Sequence, residues 1–405
     1  MKVLMLGWEF PPYNAGGLGT ACYGLTKSLA SQGVQVTFVI PKAPYSYKYN
    51  FINLLNAEID YDHILKLIKV QSGLIPYHDC FSKESLVFGK DRKSCFEIYG
   101  KNLIEEVEAF ARRVLEICRN EEFDVIHAHD WMTYLAGIAL KKATGKKLVL
   151  HIHATEFDRG VIGINPDVYN IEKQGFDNAD LIIAVSNYTK SVVCGKYGIC
   201  ESRIRVAHNG VIIDNVPKEY NVKVFPKDKV VLFLGRITIQ KGPEYFIEAA
   251  KLISDYMKDV KFIVTGSGDK LPWMIQRSAE LGLSDKIVFT GFLKGDELKK
   301  MYTMADVYVM PSVSEPFGIT PLESISLGTP VVISKQSGVS EVLNHCLKVD
   351  FWDTRKMANH IVAILQHKEL KSTLKHHGFI EVTNINWDKA AEKVKRCYEE
   401  VVGCL

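Results

Sequence analysis

The chain has 405 residues, 47% of them hydrophobic and 24% charged, with 50 Lys and Arg against 47 Asp and Glu for a formal charge of +3. At about 150 residues per domain this length predicts two domains, because one hydrophobic core stops growing near 250–300 residues. A charge so near zero supplies no chain-wide attraction for phosphate backbones or anionic lipid, so nucleic acid is not the expected partner.

Nine cysteines are scattered without any C-x-x-C pair, the pattern of reduced thiols, and the expected location is cytoplasmic. The apolar run Val3 to Leu6 meets Gly7, Trp8 and Glu9 at once, so it reads as a buried first strand and not as a signal segment. No apolar stretch reaches the ~18 residues of a transmembrane segment.

Short β-branched runs alternate with longer helix-like segments, which predicts parallel strands joined by helical crossovers. In the first half the strands are expected at Lys2 to Leu6, Gln35 to Ile40, Asp124 to Ala128, Lys147 to Ile152, Leu181 to Val185 and Arg203 to Ala207. In the second they are expected at Val230 to Leu234, Lys261 to Thr265, Lys286 to Thr290, Val307 to Met310 and Pro330 to Ser334. The expected fold is therefore α/β, with two doubly wound Rossmann-like domains facing each other across a deep cleft, because ligands of such sheets bind outside the carboxyl ends of the strands. The predicted boundaries are 1–214 for the first domain, 215–228 for a linker with two prolines and no periodicity, and 229–385 for the second domain. A final helix over 386–405 either packs on the second domain or crosses back to the first. Residues 41–93, rich in Tyr and mixed charge, contain no clean strand and read as an insertion, either a packed irregular region or part of an acceptor surface.

Three loops at predicted strand ends carry chemistry. Gly16-Gly17-Leu18-Gly19 opens a helix expected over Ala21 to Gln32, and its bare amides suit an anion, although a plain glycine turn would look the same. Gly235-Arg236-Ile237-Thr238-Ile239-Gln240-Lys241-Gly242 brings a fork-shaped guanidinium and a mobile ammonium to the end of a strand, where they could hold a diphosphate or merely be solvated. The run Ser314-Glu315-Pro316-Phe317-Gly318-Ile319-Thr320-Pro321-Leu322-Glu323 adds helix-start amides and two carboxylates, which accept hydrogen bonds from sugar hydroxyls. Two histidine pairs follow other strands, His127-Ala128-His129-Asp130 and His151-Ile152-His153-Ala154-Thr155-Glu156. Each pair puts two imidazoles on one strand face, so a metallohydrolase is the competing enzyme class. Asp60-Tyr61-Asp62 is a D-x-D with no strand before it and reads as chance.

In combination, the E-x7-E of Glu315 and Glu323, the Gly-Arg-x4-Lys-Gly run, the glycine loop and Ala207-His208-Asn209-Gly210-Val211 resemble the group 1 (GT4-like) retaining glycosyltransferases of the GT-B fold, related to glycogen and starch synthases. The resemblance covers nearly the whole chain in order. It implies a metal-independent enzyme that moves a hexose, glucose by preference, from a nucleotide-diphosphate sugar to a carbohydrate acceptor. A glycogen-like α-glucan is the favoured acceptor, with another glycan or a small glycoside as the alternative. No cofactor is implied beyond the nucleotide-sugar itself. By the same resemblance Glu315 contacts donor hydroxyls, Glu323 the ribose, and Arg236 and Lys241 the diphosphate. Gly16, Gly17, Gly318, Ile319 and Thr320 complete the phosphate site, while Gly291 and Phe292 lie beside the base. His153 lies against the donor sugar, Asp130 lines the acceptor side, and His127 and His151 are expected to be buried, satisfied histidines. The chain departs from glycogen synthases at the glycine loop, where Asn14 stands for a lysine and Thr20 for an aspartate. A non-catalytic nucleotide-sugar-binding protein on the same fold is the third class.

Overall fold

The computed structural model describes residues 1–11, 16–41, 53–54, 65–69, 103–161, 163–213 and 224–403. They fall into two compact units: one holds the residues up to Gly210 together with the segment beginning at Asn386, and the other holds Val211–Ile385. Asp60, Asp62 and most of the 41–93 stretch lie outside the described residues.

The first unit runs β1 (Lys2–Leu6), α1 (Gly17–Ser31), β2 (Gln35–Ile40), β3 (Asn53–Leu54), β4 (Leu65–Lys69), α2 (Leu103–Cys118), β5 (Val125–His129), α3 (Trp131–Thr144) and β6 (Lys147–Ile152). It continues through α4 (Glu156–Arg159), α5 (Pro166–Asn178), β7 (Leu181–Ala184), α6 (Asn187–Tyr197) and β8 (Ile204–Val206). Among the described residues its strands form one eight-stranded parallel sheet in the order β3-β4-β2-β1-β5-β6-β7-β8. The inner strands are buried along nearly their whole length because helices cover both faces; β1 and β7 are accordingly near-continuous apolar runs, while β5 and β6 carry His127, His129 and His151 among theirs. Local chemistry sets the helix ends. Asn165 caps α5 ahead of Pro166, Ser186 accepts the Thr189 amide at the start of α6, and Gly145 and Gly198 close α3 and α6 in the left-handed region.

The second unit runs β9 (Lys229–Leu234), α7 (Pro243–Tyr256), β10 (Val260–Thr265), α8 (Leu271–Glu280), β11 (Ile287–Gly291), α9 (Gly295–Met304), β12 (Val307–Met310) and α10 (Thr320–Ser326). After these come β13 (Val331–Ser334), β14 (Leu347–Val349), α11 (Thr354–Gln366) and α12 (Lys368–Thr383). Its parallel sheet has the order β11-β10-β9-β12-β13-β14. The order reverses beside β9, and the loops after β9 and β12 are those that carry Arg236, Lys241 and Glu315. The last helix, α13 (Trp387–Val402), belongs to the first unit. Asn386 caps it, and its Trp387 ring lies on Gly24 of α1, where a side chain would overlap the indole. Gln32 Nε2 donates to the Asp388 carbonyl at 2.8 Å, and Arg205 pairs with Glu400.

Several expectations are corrected. The 41–93 stretch is not devoid of strands, since β4 pairs with β2 from Val36↔Leu65 to Ile40↔Lys69 and β3 pairs with β4. A five-residue run with two lysines is a weak local signal, and only the pairing with β2 defines it. Helix α1 begins at Gly17, four residues before the expected Ala21, so the glycine loop itself forms the first turn. The strand β14 has three residues and escapes any periodicity test.

Candidate active site

In the second unit β9 ends at Leu234, and Gly235 turns the chain into the Arg236–Gly242 loop. Gly242 has φ 67°, and any side chain there would run into the Pro311 carbonyl, so only glycine lets α7 start this close to the end of β12. Arg236 is exposed, and its Nη2 donates to Gln240 Oε1 at 3.4 Å. Gln240 is buried; its Nε2 donates to the Ser314 carbonyl at 3.1 Å, and its own carbonyl accepts the Val313 amide at 2.9 Å. This buried amide ties the cationic loop to the glutamate loop. Across the tie the Lys241 ammonium pairs with Glu315 Oε2, which also accepts from Ser312 Oγ at 3.2 Å. The Glu315 backbone is held in turn by Gln336 O at 3.0 Å and Gly338 N at 2.9 Å.

Gly318 has φ 98°, and a Cβ there would press on Glu315 Cγ at 3.1 Å and Met310 Sδ at 3.2 Å. Ile319 precedes α10 and Thr320 starts it; the Thr320 hydroxyl lies 2.8 Å from that of Tyr308. Glu323, one turn inside α10, accepts from the hydroxyl of Tyr302 at 2.9 Å, and burial pushes its carboxyl above the ordinary range. Gly291 closes β11 with φ 74°, and Phe292 is 49% exposed with Lys294 Nζ 5.2 Å from its ring centroid. The structure thus brings Arg236, Lys241, Glu315, Gly318, Ile319, Thr320 and Glu323 into one hydrogen-bonded neighbourhood around the ends of β9 and β12. Tyr302, Tyr308 and Gln240 are its supports. Sequence reasoning missed the tyrosines because nothing in their spacing ties them to Glu323 or Thr320.

In the first unit Gly16 and Gly17 open α1, and among the described residues no atom beyond their own chain neighbours and helix backbone lies within 4 Å of a hypothetical Cβ. Asp130, at the end of β5, is the one described non-glycine residue at positive φ, 59°. Its Oδ1 accepts the amides of His153 at 2.7 Å and Ala154 at 3.3 Å, joining the ends of β5 and β6. His129 Nδ1 and His153 Nε2 lie 2.9 Å apart. His129 and His151 are register partners, and the four rings of His127, His129, His151 and His153 stand 4.2–5.3 Å apart at small interplanar angles. Two sets of potential ligand atoms, Cys22 with His129 and His153 and His127 with His129 and His151, each lie within 4.8 Å of one another. His129 and His153 meet edge to edge along their 2.9 Å hydrogen bond, so the four imidazoles form a packed cluster and not one face-to-face column.

The expectation of satisfied histidines is half corrected. His127 Nδ1 meets the Tyr398 hydroxyl of α13 at 2.6 Å, but among the described residues His127 Nε2 and both ring nitrogens of His151 have no hydrogen-bond partner. Burial, and then the neighbouring imidazoles, hold His127, His129 and His151 well below the ordinary histidine range. His153 is also lowered by burial, with Asp130 opposing. Sequence reasoning missed Arg159, Glu172 and Tyr197. Arg159 Nη1 donates to Glu172 Oε1 at 3.0 Å, and Glu172 also accepts from Tyr197.

A family model for the starch synthase catalytic domain matches residues 2–204, half of the chain, and one for glycosyl transferases group 1 matches residues 215–379. An uncharacterized glycosyltransferase of Methanocaldococcus jannaschii is 33% identical over 363 residues, 85% of this chain and 83% of that protein. The chain belongs to the group 1 glycosyltransferases. The glycogen synthase of Mycobacterium tuberculosis is 27% identical to this glycosyltransferase over 85% of the chain and 80% of its own length. Among solved structures, the sucrose-phosphate synthase of Thermosynechococcus elongatus superposes with a TM-score of 0.73 at 19% identity, covering all of both chains. Anabaena HepE, solved with UDP and glucose, gives 0.72 at 17% identity over 99% of this chain and all of its own. At those identities the likeness concerns the GT-B fold. Among the described residues no helix is long and apolar enough to cross a membrane.

Proposed function

We propose that this glycosyltransferase moves glucose from a nucleoside diphosphate to an α-glucan with retention of anomeric configuration, in the cytoplasm and without a metal. The observation that carries the reading is the Lys241–Glu315 pair at the ends of β9 and β12, with Arg236 and the first turn of α10 alongside. Departure of the diphosphate develops negative charge on its leaving oxygen, and fixed positive charge aimed there is the largest catalytic contribution available. In the proposed assignment Arg236 and Lys241 supply that charge, and the amides of Gly318, Ile319 and Thr320 help hold the phosphates. Glu315 takes donor hydroxyls and shifts its ion pair as the phosphate arrives, while Glu323, oriented by Tyr302, takes the ribose. Gly291 and Phe292 flank the base. From the first unit, Gly16 and Gly17 offer amides to the phosphates, His153 addresses the donor sugar and Asp130 the acceptor.

The glucan acceptor is favoured by the starch synthase model over residues 2–204 and by the glycogen synthase relatives. A small glycoside product is the second reading, favoured by a D-inositol 3-phosphate glycosyltransferase of Pseudarthrobacter chlorophenolicus that is 27% identical over 74% of the chain. Calorimetry with UDP-, ADP- and GDP-glucose, followed by transfer of labelled glucose to maltoheptaose or inositol 3-phosphate with and without EDTA, separates the readings. The expected outcome is one preferred donor, EDTA-resistant transfer to maltoheptaose and an α-linked product by NMR. Loss of turnover on chelation would overturn metal independence, and binding without transfer to either acceptor would favour a non-catalytic protein.

A further inference from the structure

We propose that Arg159 and Glu172 form a positioning pair for Asp130, fixing its carboxylate at the ends of β5 and β6 and setting the charge that it presents to His153. The starting point is strain. A non-glycine residue at φ 59° persists only where its surroundings over-determine it. The Asp130 amide donates to the His151 carbonyl at 3.0 Å, its carbonyl accepts from Thr133 Oγ1 at 3.0 Å, and its Oδ1 takes the amides of His153 and Ala154. Its other oxygen, Oδ2, faces Arg159 Nη2 at 3.5 Å.

That guanidinium is shared. Nη2 also donates to the Ala154 carbonyl at 2.8 Å, the residue whose amide Asp130 holds, and Nη1 donates to Glu172 Oε1 at 3.0 Å. The side chains of Arg159, Asp130 and Glu172 are 10%, 6% and 1% exposed, so water does little to screen them. Glu172 is anchored from three further directions: Oε2 accepts the Glu156 amide at 3.0 Å and the Tyr197 hydroxyl, and α5 itself is capped by Asn165. One guanidinium thus contacts two buried carboxylates, and a third, that of Glu156, lies in its field. Whatever charge Glu172 carries decides how much of the Arg159 field falls on Asp130. Burial lifts the Glu172 carboxyl to about 7, so its charge is not fixed near neutral pH. The groups around it are Arg159 and Glu156 from α4, Tyr197 from α6 and Tyr134 from α3. His153 is faced by Asp130, by the His129 and His151 rings and by Cys22 of α1. Asp130 is the group that favours its charged form.

The inference rests on the reading above only in assigning Asp130 to the acceptor, so the test has two arms. In the first, the full chain is labelled with ¹⁵N-histidine, His153 is assigned with His153→Gln, and its titration is followed by NMR in Glu172→Gln and Arg159→Met. Glu172→Gln leaves Arg159 to act on Asp130 alone and is expected to lower the His153 midpoint, whereas Arg159→Met removes the cation and is expected to raise it. Thermal melts identify any variant that is not folded; Arg159→Lys, which keeps the charge, is the control expected to leave the midpoint near wild type, and where Arg159→Met does not fold the Glu172→Gln midpoint alone decides. Unmoved midpoints in both folded variants, or shifts of the same sign, would mean a purely packing role and overturn the proposal. In the second arm, Glu172→Gln is expected to raise the KM for maltoheptaose about tenfold, the size of one lost polar interaction. The UDP-glucose Kd should not change. An unchanged maltoheptaose KM alongside a shifted His153 midpoint would overturn the positioning role. A wild-type enzyme that ignores maltoheptaose sinks the acceptor reading and leaves the NMR arm to decide this one.

Discussion

Lys241 stands against Glu315, and each side chain is mostly withdrawn from water, at 20% and 10% exposure. Removing one partner of such a pair leaves an uncompensated charge, which costs more than the pair itself contributes. Lys241→Ala is therefore expected to lower both the melting temperature and the turnover, the latter by roughly 10² to 10³ as for other lost transition-state donors. Arg236→Ala, whose side chain is exposed and makes one long hydrogen bond to Gln240, should cost turnover on the same scale and leave the melting temperature unchanged. Calorimetric melts and single-turnover rates on the two variants check this split; equal melting losses would contradict it. These residues were legible because their types and spacing are local. The hydroxyls that hold Glu323 and Thr320 come from α9 and β12, and no local spacing announces them.

At the scale of elements, the histidine cluster at the ends of β5 and β6 couples the sheet to acid. His127, His129 and His151 are held below the usual histidine range in the folded chain, so between that range and their depressed values the unfolded chain binds more protons. Stability is expected to fall as pH drops below about 6.5. Glu172 works in the opposite sense, because a raised carboxyl stabilises below about 4.5 and loses that contribution as pH rises through about 7. The acid slope should therefore be steeper in Glu172→Gln than in wild type, and shallower in His151→Gln. Melting temperatures across pH 5–8 test both signs.

Helices α1 and α13 give a second case. A side chain at Gly24 would overlap the Trp387 ring, so Gly24→Val is expected to cost about 1–3 kcal/mol, read as a lower denaturation midpoint. An unchanged midpoint would mean that α13 docks elsewhere. The amphipathic pattern of α13 predicted a helix from the sequence, but periodicity does not say which surface receives it. The strand β4 shows the converse, a short run with little signal of its own that becomes a strand by pairing with β2.

The whole molecule has two parallel sheets and belongs to the group 1 glycosyltransferases, and the proposed assignment puts the donor on the second unit. A donor that binds only the folded chain stabilises it by about 2.7 kcal/mol at a hundredfold excess over Kd. Hydrogen exchange with the preferred sugar nucleotide is expected to protect 235–242 and 315–323 first. Protection confined to the first unit would contradict the donor assignment. By itself, the amino-acid sequence determined the alternation of buried strands and helices and the loops that end β9 and β12, since hydrophobic periodicity and glycine punctuation act over a few residues. Tertiary structure alone decided which tyrosines orient Glu323 and Thr320, that α13 lies on α1, that four imidazoles cluster, and that Arg159 joins Asp130 to Glu172. Those contacts form between segments far apart in the chain, and only the folded sheets bring them within hydrogen-bond reach.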